Sequence, residues 1–181
     1  CSSDLYSRML GGNLVRIDVE NARGENLTNG DLVGTKDGSA YGLVFDPQDE
    51  NVFYFSNNDK HCIYKYDLRT KECACWAGQE GKSGYLDGPI GQAMFNKPGQ
   101  MCVDSEGNII LTDTENHCIR KITMSTGYVS TLAGKPQNSG YVNGSAEDAQ
   151  FKKPLGICID NDDVMYIGDS ENRAIRRLAV E

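Results

Sequence analysis

An internal repeat of 56 residues constrains what this chain can fold into. Trp76-Ala77-Gly78 returns as Leu132-Ala133-Gly134, Gly84-Tyr85 as Gly140-Tyr141, Phe95 as Phe151, and Lys97-Pro98 as Lys153-Pro154. Leu111-Thr112-Asp113-Thr114-Glu115-Asn116 matches Ile167-Gly168-Asp169-Ser170-Glu171-Asn172, and Ile119-Arg120-Lys121 matches Ile175-Arg176-Arg177, at the same offset. An earlier copy runs through Phe55-Ser56-Asn57 and His61-Cys62-Ile63-Tyr64-Lys65. A repeat of this length marks modules that cannot cover their own apolar faces and must stack.

The middle copy holds four strand-like runs, at 99–103, 108–112, 119–124 and 128–132, separated by Asp-, Asn-, Ser- and Gly-rich turns. No stretch keeps a period of 3.6 over the length a helix needs. Four antiparallel strands per copy, the first of them apolar, describe a propeller blade rather than a helical solenoid. The expected organisation is one propeller segment over 1–181. Residues 1–29 supply outer strands of a first blade, 30–78 and 79–134 two blades, and 135–181 a blade without its last strand. Leu14-Val15-Arg16-Ile17-Asp18 resembles Ile63-Tyr64-Lys65-Tyr66-Asp67, and Cys1-Ser2-Ser3-Asp4 resembles Tyr54-Phe55-Ser56-Asn57. Cys1 is thus expected inside the fold, at the end of a second strand, rather than at a lipid-modified terminus.

Composition excludes several function classes. The 181 residues carry 18 Lys plus Arg against 26 Asp plus Glu, a net charge of -8. Binding to nucleic-acid phosphates depends on clustered cations, so no nucleic-acid partner is expected. No apolar run is long enough for a membrane span. The seven cysteines are expected mainly as buried thiols acting as small hydrophobes. Cys73-Ala-Cys75 has the wrong spacing for a C-x-x-C site, and as part of a strand the pair shares one face.

Phe95-Asn-Lys-Pro-Gly, Val103-Asp-Ser-Glu-Gly-Asn, Leu111-Thr-Asp-Thr-Glu-Asn, Ile119-Arg-Lys-Ile and Val129-Ser-Thr-Leu-Ala-Gly make the chain resemble the NHL-repeat β-propellers. Phe151-Lys-Lys-Pro-Leu-Gly and Gly168-Asp-Ser-Glu-Asn-Arg-Ala-Ile-Arg-Arg repeat the pattern, and the first copy departs from it at Asn57 and Tyr64-Lys65. The resemblance implies an all-β fold of four-stranded antiparallel blades, about three of them, from a six-bladed ring. The remaining blades would come from a parent chain or a second copy. It also implies a platform for protein, RNA or other ligands, and only occasionally an enzyme. The Gly-Tyr-Leu-Asp-Gly insert is similar to that of bacterial members, many of them extracytoplasmic.

Antiparallel order places the turn between second and third strands on the same side as the links between blades. Those links, at 79–94 and 135–150, are long enough to carry function or a short element of their own. Gly88-Pro89 and Ser145-Ala-Glu-Asp148 each look like the start of a one-turn helix. One face therefore gathers Lys82, Tyr85, Asp87, Asp113, Tyr141, Asn143 and Asp169, the candidate site for a protein or carbohydrate ligand. Each has a structural alternative. Tyr85 and Tyr141 would anchor the long loops, and Asp113 and Asp169 would cap their turns. Arg120-Lys121 and Arg176-Arg177 are expected as solvated strand-face charges neutralised by Glu115 and Glu171. His61 and His117 are a whole blade apart, which suits polar packing between blades better than a metal site. The sequence has no G-x-S-x-G, H-E-x-x-H or phosphate-loop pattern, and no cofactor is implied. The reading is a non-catalytic binding or scaffolding module. The alternative is a metal-assisted hydrolase or lyase whose axial site is completed by blades outside this chain.

Overall fold

Strand side chains alternate between two faces, so a strand whose every residue is apolar must be covered on both sides. Val52-Phe53-Tyr54-Phe55 and Ile109-Ile110-Leu111 are runs of this kind, and all seven residues are buried. The computed structural model describes residues 5–8, 14–18, 21–26 and 40–179, and it solves this problem by placing sheets face to face. The strands are β1 (Leu5–Arg8), β2 (Leu14–Asp18), β3 (Arg23–Asn26), β4 (Ala40–Asp46), β5 (Asp49–Asn57), β6 (Cys62–Asp67), β7 (Cys73–Gly78), β8 (Gly88–Pro89), β9 (Pro98–Val103), β10 (Ile109–Asp113), β11 (Cys118–Thr123), β12 (Tyr128–Ala133), β13 (Pro154–Ile159), β14 (Met165–Asp169) and β15 (Ala174–Leu178). They form four antiparallel sheets in the orders β1-β2-β3, β4-β5-β6-β7, β8-β12-β11-β10-β9 and β13-β14-β15.

The chain is an all-β partial propeller. The four strands expected in the middle copy lie within one residue of β9 to β12. Residues 1–4, expected at the end of a second strand, and 27–39, around the first blade boundary, lie outside the described residues. Gly88-Pro89 opens one hydrogen-bonded turn, with Ala93 N–H on Pro89 O at 2.9 Å, and its place in a sheet is the unexpected part. It pairs with the outer strand β12 as a fifth strand, Val129 opposite Gly88 and Tyr128 opposite Pro89, so the long loop protects that edge. The 145–148 segment closes one hydrogen-bonded turn, with Ala149 N–H on Ser145 O at 2.9 Å, and no helix follows. Among the described residues no helix is long and apolar enough to cross a membrane.

Between the second and third sheets lie Val52, Tyr54, Ile63, Phe95, Ile109, Leu111, Ile122 and Val129. The same positions one repeat later, with Phe151, Ile157 and Ile167 among them, fill the space between the third and fourth sheets. A separate aromatic layer, Phe53, Phe55, Tyr64 and Tyr66, covers the far face of the second sheet, with Phe55 stacked on Tyr64 at 5.3 Å. Cys73 and Cys75 pack together in that layer, as their alternation implies. Of the described thiols Cys62 and Cys118 are buried and none forms a disulfide. Cys158, expected inside its apolar run, is exposed.

Hydroxyls tie the inner strands together. Ser56 Oγ donates to Gly99 O at 2.7 Å, and Thr112, its equivalent, donates to Leu155 O at 2.9 Å. A Cβ on Gly99 would collide with Thr112 Oγ1 and stand 3.0 Å from Leu155 O, so only glycine admits this approach. The two histidines link blades in a different way. Each is in the left-handed region (φ 56° and 58°), and its Nδ1 accepts an N–H from the next blade, Lys97 at 3.1 Å for His61 and Lys153 at 3.2 Å for His117. The expected polar packing between blades is what they supply.

Burial, reinforced by the Lys97 charge, holds the His61 imidazole below its usual 6.5. The neutral ring is the form that accepts the bond, and the folded pKa is below the unfolded one. Its contribution is present above about pH 6.5 and lost as pH falls through the folded value. Urea midpoints are therefore expected to drop between about pH 7.5 and 5.5, and His61→Asn, which keeps an acceptor and tolerates φ > 0, should flatten that dependence.

Candidate functional site

The seven sequence-predicted residues divide into two clusters and one outlier, and each cluster is built on an arginine. Asp113 closes β10 and is completely buried. Its Oδ1 accepts the Asn96 N–H at 2.8 Å, and its Oδ2 accepts Asn116 Nδ2 at 2.8 Å and Arg120 Nη1 at 2.7 Å. Arg120, on the neighbouring strand β11, is 0% exposed. Nη1 also donates to Met94 O at 3.1 Å, and Nη2 donates to Leu86 O at 2.9 Å and Asp87 Oδ1 at 2.6 Å. The guanidinium lies between the Tyr85 ring (4.8 Å) and the Phe95 ring (5.2 Å), where a delocalised cation is favoured. Asn116 adds a bond to Gly84 O at 2.8 Å. The Tyr85 hydroxyl and Thr131 Oγ1 of β12 are 2.7 Å apart.

One repeat later the same arrangement surrounds Arg176 on β15. Nη1 reaches Asp169 Oδ2 at 2.9 Å and Gln150 O at 3.0 Å, while Nη2 reaches Val142 O and Asn143 Oδ1, both at 2.7 Å. Tyr141 and Phe151 hold the guanidinium between their rings at 4.9 and 5.0 Å. Asn172 bridges Asp169 to Gly140 O. In the first copy Asn57 and Tyr64 take the places of Asp and Arg, and an aromatic stack occupies the position of the cation.

Two sequence expectations are corrected here. Arg120 and Arg176 are not solvated strand-face charges. They are buried, and their partners are Asp113 and Asp169, while Glu115 and Glu171 pair with Lys153 instead. The aspartates also do not cap the backbone of their turns. Neither 3-10 turn, Thr114–Asn116 or Ser170–Asn172, receives a side-chain cap bond from the Asp before it. Each bridges its turn through Asn116 or Asn172 and neutralises the arginine. The loop-anchoring role does describe Tyr85 and Tyr141. Arg120, Arg176, Asn116, Asn172 and Thr131 belong to the clusters and were not candidates. The spacing Asp-x-x-Asn-x-x-x-Arg, present at 113–120 and 169–176, is the signal that carries four of them.

Chemically, the carboxylates are committed. Burial lifts the Asp113 carboxyl to about 6, opposed by Arg120, Asn116 and the Asn96 N–H. The large apolar side chains that the two loops expose are Leu86, its equivalent Val142, and Tyr141, which is 60% exposed, and they stand among exposed polar residues such as Lys82, Asn143, Glu147 and Asp148. Lys82 lies apart from both clusters, with Nζ 3.4 Å from Gln79 Oε1. At the opposite rim a cavity of about 170 Å³ is lined by Asp104, Glu106, Ile110, Lys121, Leu132, Asp163 and Met165. Its one cation, Lys121, is paired with Asp104 at 3.0 Å. Among the described residues no three His, Cys, Asp or Glu side chains converge as metal ligands.

A family model described as the NHL repeat matches residues 95–122. NHL repeat-containing protein 2 of Gallus gallus is 30% identical over 83% of this chain and 19% of its own length. The chloroplastic protein Suppressor of Quenching 1 of Arabidopsis thaliana is 28% identical over 91% of this chain and 16% of its own. Among solved structures, a protein of unknown function from Bacteroides thetaiotaomicron superposes with a TM-score of 0.89 at 29% identity, over 98% of this chain and 44% of that one. An auxiliary nutrient binding protein from the same organism gives 0.78 at 28%, over 98% and 45%. The chain thus spans less than a fifth of these curated relatives and under half of these structural ones.

Removing one member of a buried ion pair leaves its partner charged and unpaired, which costs about 3–5 kcal/mol. Arg120→Ala is expected to destabilise the chain by about that amount in urea unfolding, and to expose 79–97 to limited proteolysis. Arg176→Ala, whose Tyr141 and Asn143 partners are exposed, should cost less.

Proposed function

We propose that this chain, which belongs to the NHL-repeat β-propellers, is a non-catalytic binding and scaffolding module that takes a protein or glycan ligand on its long-loop face. One observation carries the reading. Two equivalent loops are each fixed to a blade by a buried arginine, and each turns an apolar side chain outward, Leu86 and Val142, with Tyr141 beside the second. Rigid display of apolar and aromatic groups lowers the ordering cost of recognition, and tyrosine offers a flat apolar face together with a hydroxyl. The acids and tyrosines that would suggest catalysis serve instead to hold the loops. The auxiliary nutrient binding protein from Bacteroides thetaiotaomicron supports a binding role for a chain of this shape.

The test is an array of polysaccharides and glycoproteins probed with the labelled chain. Saturable binding is expected, weakened at least about tenfold when Leu86→Asp, Tyr141→Ser and Val142→Asp are combined, with the β-sheet circular dichroism of the folded chain retained. Binding that survives the triple replacement would move the site off this face, and a folded chain that binds nothing on the array would remove the reading.

A further inference from the structure

At the rim opposite the long loops, one interface between sheets is filled by aromatic rings and its repeat is hollow. Val44 of β4 stands opposite Tyr54 of β5, and Cys102 of β9 stands opposite Ile110 of β10. The registers are therefore equivalent, and Asp46 corresponds to Asp104. Between the second and third sheets two rings take the space. Tyr54 and Trp76 are 4.3 Å apart, and the Tyr54 hydroxyl donates to Asp46 Oδ2 at 2.7 Å.

Between the third and fourth sheets the equivalent positions are Ile110 and Leu132. Each is smaller than the ring it replaces, and the sheets do not draw together to take up the difference. Ser105 N–H donates to Asp163 Oδ1 at 2.9 Å, and the Ser105 hydroxyl donates to Asp163 Oδ2, so a directed link ties the two sheets across the gap. What remains is the cavity of about 170 Å³, with Ile110, Leu132 and Met165 as its apolar walls. An apolar cavity of roughly 150 Å³ accepts one benzene ring. A void of this size is unusual where interiors are close-packed, and its shape is that of a missing ring.

The polar mouth sets which ring can enter. Lys121 Nζ is 3.0 Å from Asp104 Oδ2 and 3.5 Å from Glu106 Oε2, and an ammonium has three hydrogens to give. Asp104 already accepts from Lys121, the Glu106 and Asn108 N–H groups and Asn108 Nδ2, which leaves Glu106 as the freer acceptor. Three carboxylates, of Asp104, Glu106 and Asp163, face one cation there, and an anion is disfavoured. We propose that this cavity is a binding site for a small phenol. The ring lies between Leu132 and Met165, in the space that Tyr54 and Trp76 fill one repeat earlier. The hydroxyl accepts from Lys121 Nζ and donates to the Glu106 carboxylate. A hydroxyl can do both at once, whereas a carboxylate ligand can only accept. The Met165 thioether beside the ring adds a favourable sulfur contact.

The probe is 4-fluorophenol, followed by fluorine NMR as the full 181-residue chain is titrated in. One saturable site is expected. Fluorobenzene, which lacks the hydroxyl, should bind about threefold or more weaker, and 4-fluorobenzoate about tenfold or more weaker because of its charge. Leu132→Trp, which copies Trp76, should abolish binding while the β-sheet circular dichroism is retained. In the unaltered chain, nuclear Overhauser contacts from the ligand ring should reach the Met165 methyl, which locates the site even where the tryptophan variant does not fold. Four results would overturn the proposal: no binding of 4-fluorophenol by a folded chain, equal or tighter binding of fluorobenzene or 4-fluorobenzoate, binding that persists in a folded Leu132→Trp chain, or ring contacts that fall away from Met165. Leu86, Tyr141 and Val142 are untouched in every arm, so failure here is distinguishable from failure of the long-loop binding function.

Discussion

A sheet with apolar residues on both faces cannot be solvated on either, and this constraint governs the molecule. Tyr54 and Phe53 are adjacent in one strand yet belong to different layers, one between the second and third sheets and one on the far side. The second and third sheets each depend on a neighbouring sheet to cover one face. The Ser56 and Thr112 hydroxyls and the two histidines act at the lines where the blades meet, and they set the approach that the apolar layers make favourable. The glycine at position 99 is where that approach is tightest.

Within this frame the buried guanidinium is the exception that has to be compensated. A desolvated cation is costly unless every donor is met. Arg120 has a carboxylate on each side, two carbonyls and two aromatic faces, and its carboxylate partner Asp113 is itself held by Asn116 and the Asn96 N–H. Arg120 Nε and Asn116 Oδ1 are left without a hydrogen-bond partner, but the two terminal nitrogens of the guanidinium carry four directed bonds, which fix the path of the loop more sharply than apolar contact could. In the first copy Tyr64, stacked on Phe55, stands at the position of the arginine.

The fold was legible in the sequence because strand alternation and the 56-residue register are local or periodic signals. The blade strands could be bounded to a residue by their turns, and the histidines could be assigned by their spacing. The site was legible only in part. Asp113, Asp169, Tyr85 and Tyr141 stand out by recurrence, but recurrence does not tell which way a side chain points. Arg120 beside Lys121 reads as a charged pair on a strand, although alternation alone sends the two to opposite faces, one buried and one toward Asp104. The β8 segment was missed because a two-residue pairing with a strand 40 positions away leaves no local pattern. The exposure of Cys158 was hidden for a similar reason, since burial on that face depends on what covers it and not on its own neighbours in sequence.

Arg120 and Asn116 grip the first loop through the carbonyls of Leu86, Met94 and Gly84, and Arg176 and Asn172 grip the second through those of Val142, Gln150 and Gly140. A carbonyl is the same whatever residue bears it. Substitution along the rim can therefore proceed without disturbing the frame, and the chain already records the outcome: leucine has become valine and methionine has become glutamine while the backbone keeps its course. Conformation and vocabulary are inherited separately here, so a lineage can change what the rim says to its surroundings and leave intact how it is held.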